Sequence, residues 1–106
     1  MAQVRPVKLR YTESARSHIS QTHDYINERN PVAAGRVVAR IRRAAEQLIE
    51  HPGMGRPGAV PGTREWVVRG LPYIVVYEVH AERDEIVVLG VYHGAQTRPG
   101  QEAAEP

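Results

Sequence analysis

Residues 62–94 constrain the fold more than any other stretch of this chain. Three runs rich in β-branched and aromatic residues follow one another there, at 62–69, 73–79 and 86–91. Gly70, Leu71 and Pro72 separate the first pair, and the polar segment 80–84 separates the second. Runs of this length bounded by turn residues read as strands, and connections this short make them an antiparallel meander. Successive strand residues point to opposite faces, so Tyr73, Val75, Tyr77 and Val79 form one row and Ile74, Val76 and Glu78 the other. The row with the carboxylate is expected to be the open face. By the same logic Trp66 and Val68 belong with the core, and Glu65, Val67 and Arg69 with the open side. The last run is apolar in both rows. One of its faces therefore needs a cover besides any helix layer: the loop, the tail or a partner.

The segments before the meander supply that helix layer. Val7, Leu9 and Tyr11 alternate with Lys8 and Arg10, the period of a half-buried strand. Thr12 is placed to cap a helix whose apolar face is Ala15, Ile19, Thr22, Tyr25 and Ile26, running to about residue 29. His18, His23, Asp24 and Glu28 fall on its remaining surface and are expected to face solvent. Asn30 then caps a second helix, with Pro31 at the first position, where a missing N–H costs nothing. Ala34, Val37, Val38, Ile41, Ala45, Leu48 and Ile49 keep helical spacing up to about residue 50, before His51, Pro52 and Gly53 end the element. Two helices joined this tightly form a hairpin. In 51–63, seven of thirteen residues are Gly or Pro, which predicts an irregular crossing loop containing Arg56. The fold class expected is α+β: an N-terminal strand, a helical hairpin, and a three-stranded antiparallel meander. One domain spans 1–98, and 99–106 reads as a disordered tail.

At 106 residues the chain has room for one core. It has no cysteine, which excludes disulfides and thiolate metal sites, and its carboxylates and histidines show no ligand spacing. Neither a metal nor any other cofactor is expected. No apolar run reaches membrane-spanning length and no leader-like apolar region opens the chain, so no membrane partner is expected and a cytoplasmic location is. The formal charge is +2, carried by thirteen arginines and one lysine against twelve acids. Arg36, Arg40 and Arg43 share a stripe of the second helix with Gln47 and Glu50, almost opposite its apolar stripe. Such a row is either a solvated face or a contact for nucleic-acid phosphates.

The order of elements, together with Asn30–Pro31, residues 52–57 (PGMGRP), 62–65 (GTRE), 73–77 (YIVVY) and 91–94 (VYHG), resembles the RelE/ParE superfamily of bacterial type II toxins. The likeness runs from Val7 to about Arg98. It implies a compact toxin neutralised by a cognate antitoxin. Two targets follow from the two branches. RelE-like members cut mRNA on the ribosome, a reaction that needs a general base, a proton donor and cations around the phosphorane. For that branch the resemblance nominates His93, Tyr92, Arg69 and Arg64. The central strand of those ribonucleases usually carries an arginine right after the position of Tyr73, and this chain has Ile74. An aliphatic side chain cannot bind phosphate, so the resemblance favours the ParE-like branch, a non-enzymatic poison of DNA gyrase. His93 also has a purely structural reading, as a strand-end residue bonded to backbone. An inactive module kept for antitoxin binding or plasmid maintenance is the third possibility. Val67, Arg69, Ile74, Val76 and Glu78, on the presumed open face, are the expected partner-binding residues, because an antitoxin segment there would bury apolar surface.

Overall fold

The computed structural model describes residues 7–96 and 98; the expected disordered tail, 99–106, lies outside them. The elements run β1 (Lys8–Tyr11), α1 (Glu13–Asn27), α2 (Pro31–Glu50), β2 (Arg56–Pro57), β3 (Arg64–Val67), β4 (Tyr73–His80) and β5 (Glu85–His93), with a 3-10 turn at Ala81–Arg83. One sheet holds all five strands in the order β1-β5-β4-β3-β2. The predicted meander is β3, β4 and β5, paired antiparallel. β1 lies parallel to β5, with Leu9 beside Ile86 and Tyr11 beside Val88, so the helical hairpin is part of the crossover between them. Parallel neighbours need such a long connection.

Both helix starts follow from their caps. The Thr12 hydroxyl accepts from Ala15 N–H at 3.1 Å and the Asn30 amide oxygen from Ala33 N–H at 3.1 Å, each satisfying a donor the first turn leaves open. The Thr12 hydroxyl also donates to Leu89 O at 3.0 Å, which pins the start of α1 to β5. The first helix stops at Asn27, two residues short of the expected end.

The helices bury Ala15, Ile19, Ile41, Ala45 and Leu48 against Val75, Tyr77, Ile86, Val88 and Val91 of the sheet and Val68 just past β3. Each large side chain fully removed from water there contributes about 1.5–3 kcal/mol. The row assigned to the core holds for Val75 and Tyr77, with Tyr73 packed at its margin. Val79, past the reach of the hairpin, is 39% exposed.

A register shift explains why the last strand is apolar on both sides. Val76 pairs with Gly90 and Tyr77 with Val88, so Leu89 is an extra residue in β5. This bulge changes the core spacing from Ile86 and Val88 to Val91, two positions and then three. Val87 is buried on the other face and only 2% exposed.

Two expectations need correction. The loop 51–63 was expected to be wholly irregular, yet it contributes β2, pairing Arg56 with Glu65 and Pro57 with Arg64. A two-residue pair leaves no periodic signal, and Pro57 is tolerated because β2 is an edge. The face of Ile74 and Val76 was expected to be open, but each is only 7% exposed. Glu65, opposite Val76, draws in Arg56 from the loop and Arg98 from beyond β5, so the chain returns across that face.

Candidate functional site

β1 ends at Tyr11, beside Val88, and leaves the second half of β5, from Leu89 on, without a strand partner on that edge. α1 takes its place. His18 Nδ1 accepts from Val91 N–H at 3.1 Å, doing for β5 what a carbonyl of β1 would have done. With Nδ1 accepting, the neutral ring carries its proton on Nε2, and burial lowers the pKa of the group below its usual 6.5. His18 was expected to face solvent; the short β1 is what turns it inward. Helical spacing alone could not reveal this, because the donor it meets is 73 residues away.

Around this contact lies an open cleft of about 310 Å³, lined by residues that include His18, Tyr25, Tyr73, Tyr92 and His93. Tyr92 packs its ring on His18 at 4.8 Å, folding back over Gly90, where the ring leaves no room for a Cβ. Tyr73 meets His93 edge to face at 5.5 Å, as direct strand neighbours. Tyr92 and His93 project to opposite faces of β5, but both line the cleft because it sits at the end of the strand. Desolvation raises the pKa of both Tyr73 and Tyr92, so neither supplies a phenolate at neutral pH. His93 Nδ1 accepts from Ala95 N–H at 3.1 Å, the structural role that the sequence left open for it, and Nε2 carries the proton.

The arginines nominated alongside His93 are elsewhere. Arg64 donates through Nη1 to Gly55 O at 2.6 Å, holding the loop after α2. It pairs with Tyr77 on β4, whereas His93 pairs with Tyr73, four residues along the same strand. Arg69 lies past the end of β3 and lines a second cleft, of about 190 Å³, with Arg40, Arg43, Ala44, Gln47 and Val68. Arg40 reaches across it to donate to the Arg69 carbonyl. Arg36 is exposed one turn earlier on α2.

Of the expected partner-binding residues, Val67 is 48% exposed and Arg69 is exposed, while Ile74 and Val76 are buried. Glu78 is half-buried and bonds His80 Nε2 at 2.9 Å. The structure therefore brings together His93, Tyr92, Tyr73, Tyr25 and His18 in one place and Arg40, Arg43 and Arg69 in another.

Residues 9–98 match the family model for the ParE toxin of type II toxin–antitoxin system, parDE. The chain is 40% identical over 92 residues to the putative toxin Y4kP of Sinorhizobium fredii, covering 87% of this chain and 93% of that protein. Toxin RelE2 of Caulobacter vibrioides is 38% identical over 69 residues, 65% of this chain and 76% of that one. Among solved structures, the chromosomal ParDE system from P. aeruginosa superposes with a TM-score of 0.74 at 24% identity, covering 82% of this chain and 95% of that one. The RelBE2 toxin–antitoxin complex from Mycobacterium tuberculosis gives 0.61 at 25% identity, covering 84% and 99%. The match across nearly the whole described chain, on a strand, helical hairpin and meander in the expected order, means that this protein belongs to the ParE toxin family of type II toxin–antitoxin systems.

Proposed function

We propose that this toxin is held by a cognate antitoxin and arrests growth by binding DNA gyrase, without cutting RNA. The observation that carries the reading is the separation of His93 from the cations an RNA-cleaving site needs. Arg64 is committed to loop carbonyls, Arg69 faces the second cleft, and the position after Tyr73 is a buried aliphatic residue. A phosphorane forming beside His93 would meet imidazoles and neutral phenols but no guanidinium among the residues lining that cleft. Binding a protein target makes no such demand. The family match and the resemblance to the gyrase-poisoning branch support the same target, and the structural neighbours in complex with antitoxins support the same partner.

The test is a supercoiling assay with purified gyrase and excess toxin, followed on gels for cleaved DNA. Inhibition with accumulated cleavage product is the expected result, and it should be reversed by the antitoxin encoded beside the toxin gene. Gyrase that stays fully active, with messages cut inside translating ribosomes, would overturn it. That second reading draws on the name of the Caulobacter relative and on the placement of His93, Tyr92 and His18 in one cleft. Under it the cuts vanish in His93→Ala. Expression without any growth arrest would mark an inactive module instead.

A further inference from the structure

We infer that the second cleft, with the arginine face of α2, is a binding surface for the phosphodiester backbone of duplex DNA. Arg36, Arg40 and Arg43 succeed one another four and three residues apart, about 6 Å and 4.5 Å along the helix axis. Arg69 enters from the β3–β4 turn and lines the cleft opposite Arg40 and Arg43. Arg40 is laid across the turn, bonded to the Arg69 carbonyl and packed 3.0 Å from where a Cβ on Gly70 would stand. Gly70, at φ +77, gives the turn its shape and leaves that guanidinium its room. A held guanidinium loses less freedom on binding than a free one.

Charge and lining decide the class of ligand. Among the described residues no carboxylate forms an ion pair with Arg36, Arg40, Arg43 or Arg69, although Arg10 and Arg56 on the same protein each have one. Glu50 is the one acid on the stripe, at its far end. The lining is polar apart from Ala44 and Val68, so an acidic peptide would find few apolar anchors of the sort that hold peptides in grooves. It also has no aromatic ring, the platform on which single-stranded bases stack. A row of cations with few apolar anchors and no rings matches a regular line of phosphates read without regard to sequence. The inference is independent of gyrase as target, since it concerns DNA alone.

The experiment is fluorescence anisotropy of a labelled 20-base-pair duplex titrated with full-length toxin from 50 to 200 mM salt, in the absence of gyrase. Four phosphate contacts give a log–log salt slope of about −3.6 and a loss of affinity on the order of a hundredfold across that range. Arg36→Gln and Arg43→Gln, exposed positions with no bond to lose, should each flatten the slope by about 0.9, and with Arg69→Gln added the slope should approach −0.9. Arg29→Gln, at the end of α1, should leave it unchanged. Circular dichroism and thermal melting of each variant separate lost contacts from lost fold. Equal slopes for wild type and the triple variant would overturn the assignment. So would tighter binding of a single strand of the same length, or equal binding of a poly-glutamate peptide.

Discussion

The Glu65 carboxylate meets the Arg98 guanidinium at 3.2 Å on the sheet face turned away from the helices, with both side chains more than nine-tenths buried. Arg56 reaches the other carboxylate oxygen at 3.1 Å. One acid thus ties the β2 loop and the segment after β5 to the middle of β3. Charged groups taken this far out of water contribute little as a pair, but removing the Glu65 carboxylate takes a buried partner from Arg98 and a second ion pair from Arg56 at once.

Glu65→Ala should therefore lower stability by about 3–5 kcal/mol, read as a fall in the urea midpoint. Arg56→Ala should cost less than about 1 kcal/mol, because its side chain is 59% exposed and water replaces the lost partner. Near-equal midpoints for the two variants would show that the cluster does not hold this face closed.

A second anchor fixes the loop from the core side. The Tyr77 hydroxyl donates to Pro52 O at 2.7 Å and accepts from Gly55 N–H at 2.9 Å. Tyr77→Phe keeps the packing but leaves the buried Gly55 N–H without its acceptor, a loss of about 1–3 kcal/mol. Limited proteolysis should then cut within 51–63 faster than in wild type. Unchanged cleavage there would mean that Arg64 and the Arg56–Glu65 pair hold the loop without the Tyr77 hydroxyl.

The parts of this structure legible in the sequence are those that repeat at short range. The spacing of the apolar face of α2 and the Thr12 and Asn30 caps depend on neighbours a few residues apart, and these are where they were expected. The rest depends on distant pairs. The Leu89 bulge changes which side chains of β5 face the core, and only the pairing with β4 creates it. His18 turned inward because β1 ends where it does. Ile74 and Val76 were expected to be open because an alternating row shows only one layer of contacts, and the returning segment at Arg98 makes the second. Arg69 was expected on the open face of its strand, but β3 ends at Val67 and the turn at Gly70 places Arg69 beside α2 rather than beside His93.

His18 predicts a dependence on pH. Burial keeps its imidazole neutral in the folded state below the usual 6.5, while the unfolded chain takes up the proton there. The unfolded state thus binds more protons, and stability falls as pH drops. The contribution is complete above about pH 6.5 and is lost as pH falls from 6.5 through the lowered folded value. His18→Asn places an amide oxygen near Nδ1 and does not titrate. Urea midpoints for the two proteins should run parallel above pH 7 and converge or cross below pH 6, where wild type weakens more. Parallel curves down to pH 5 would show that the Val91 N–H contact does not depend on the protonation of the ring.

Gly90 and Tyr92 form the last coupled pair. A Cβ added at Gly90 would lie 2.7 Å from Cε2 of the Tyr92 ring. The ring is the far end of a side chain that can swing, so Gly90→Ala does not break β5; it drives Tyr92 off His18 and loosens the wall of the histidine cleft. The expected cost is about 1–3 kcal/mol, typical of crowding a packed site. In a Tyr92→Ala background the crowding partner is gone, and Gly90→Ala should cost less than about 0.5 kcal/mol. The two substitutions should then be strongly non-additive, as groups in contact are and separated ones are not. Additive costs in the double-mutant cycle would place the penalty of Gly90→Ala in the β5 backbone, and the position of Tyr92 against His18 would no longer be the reason for a glycine there.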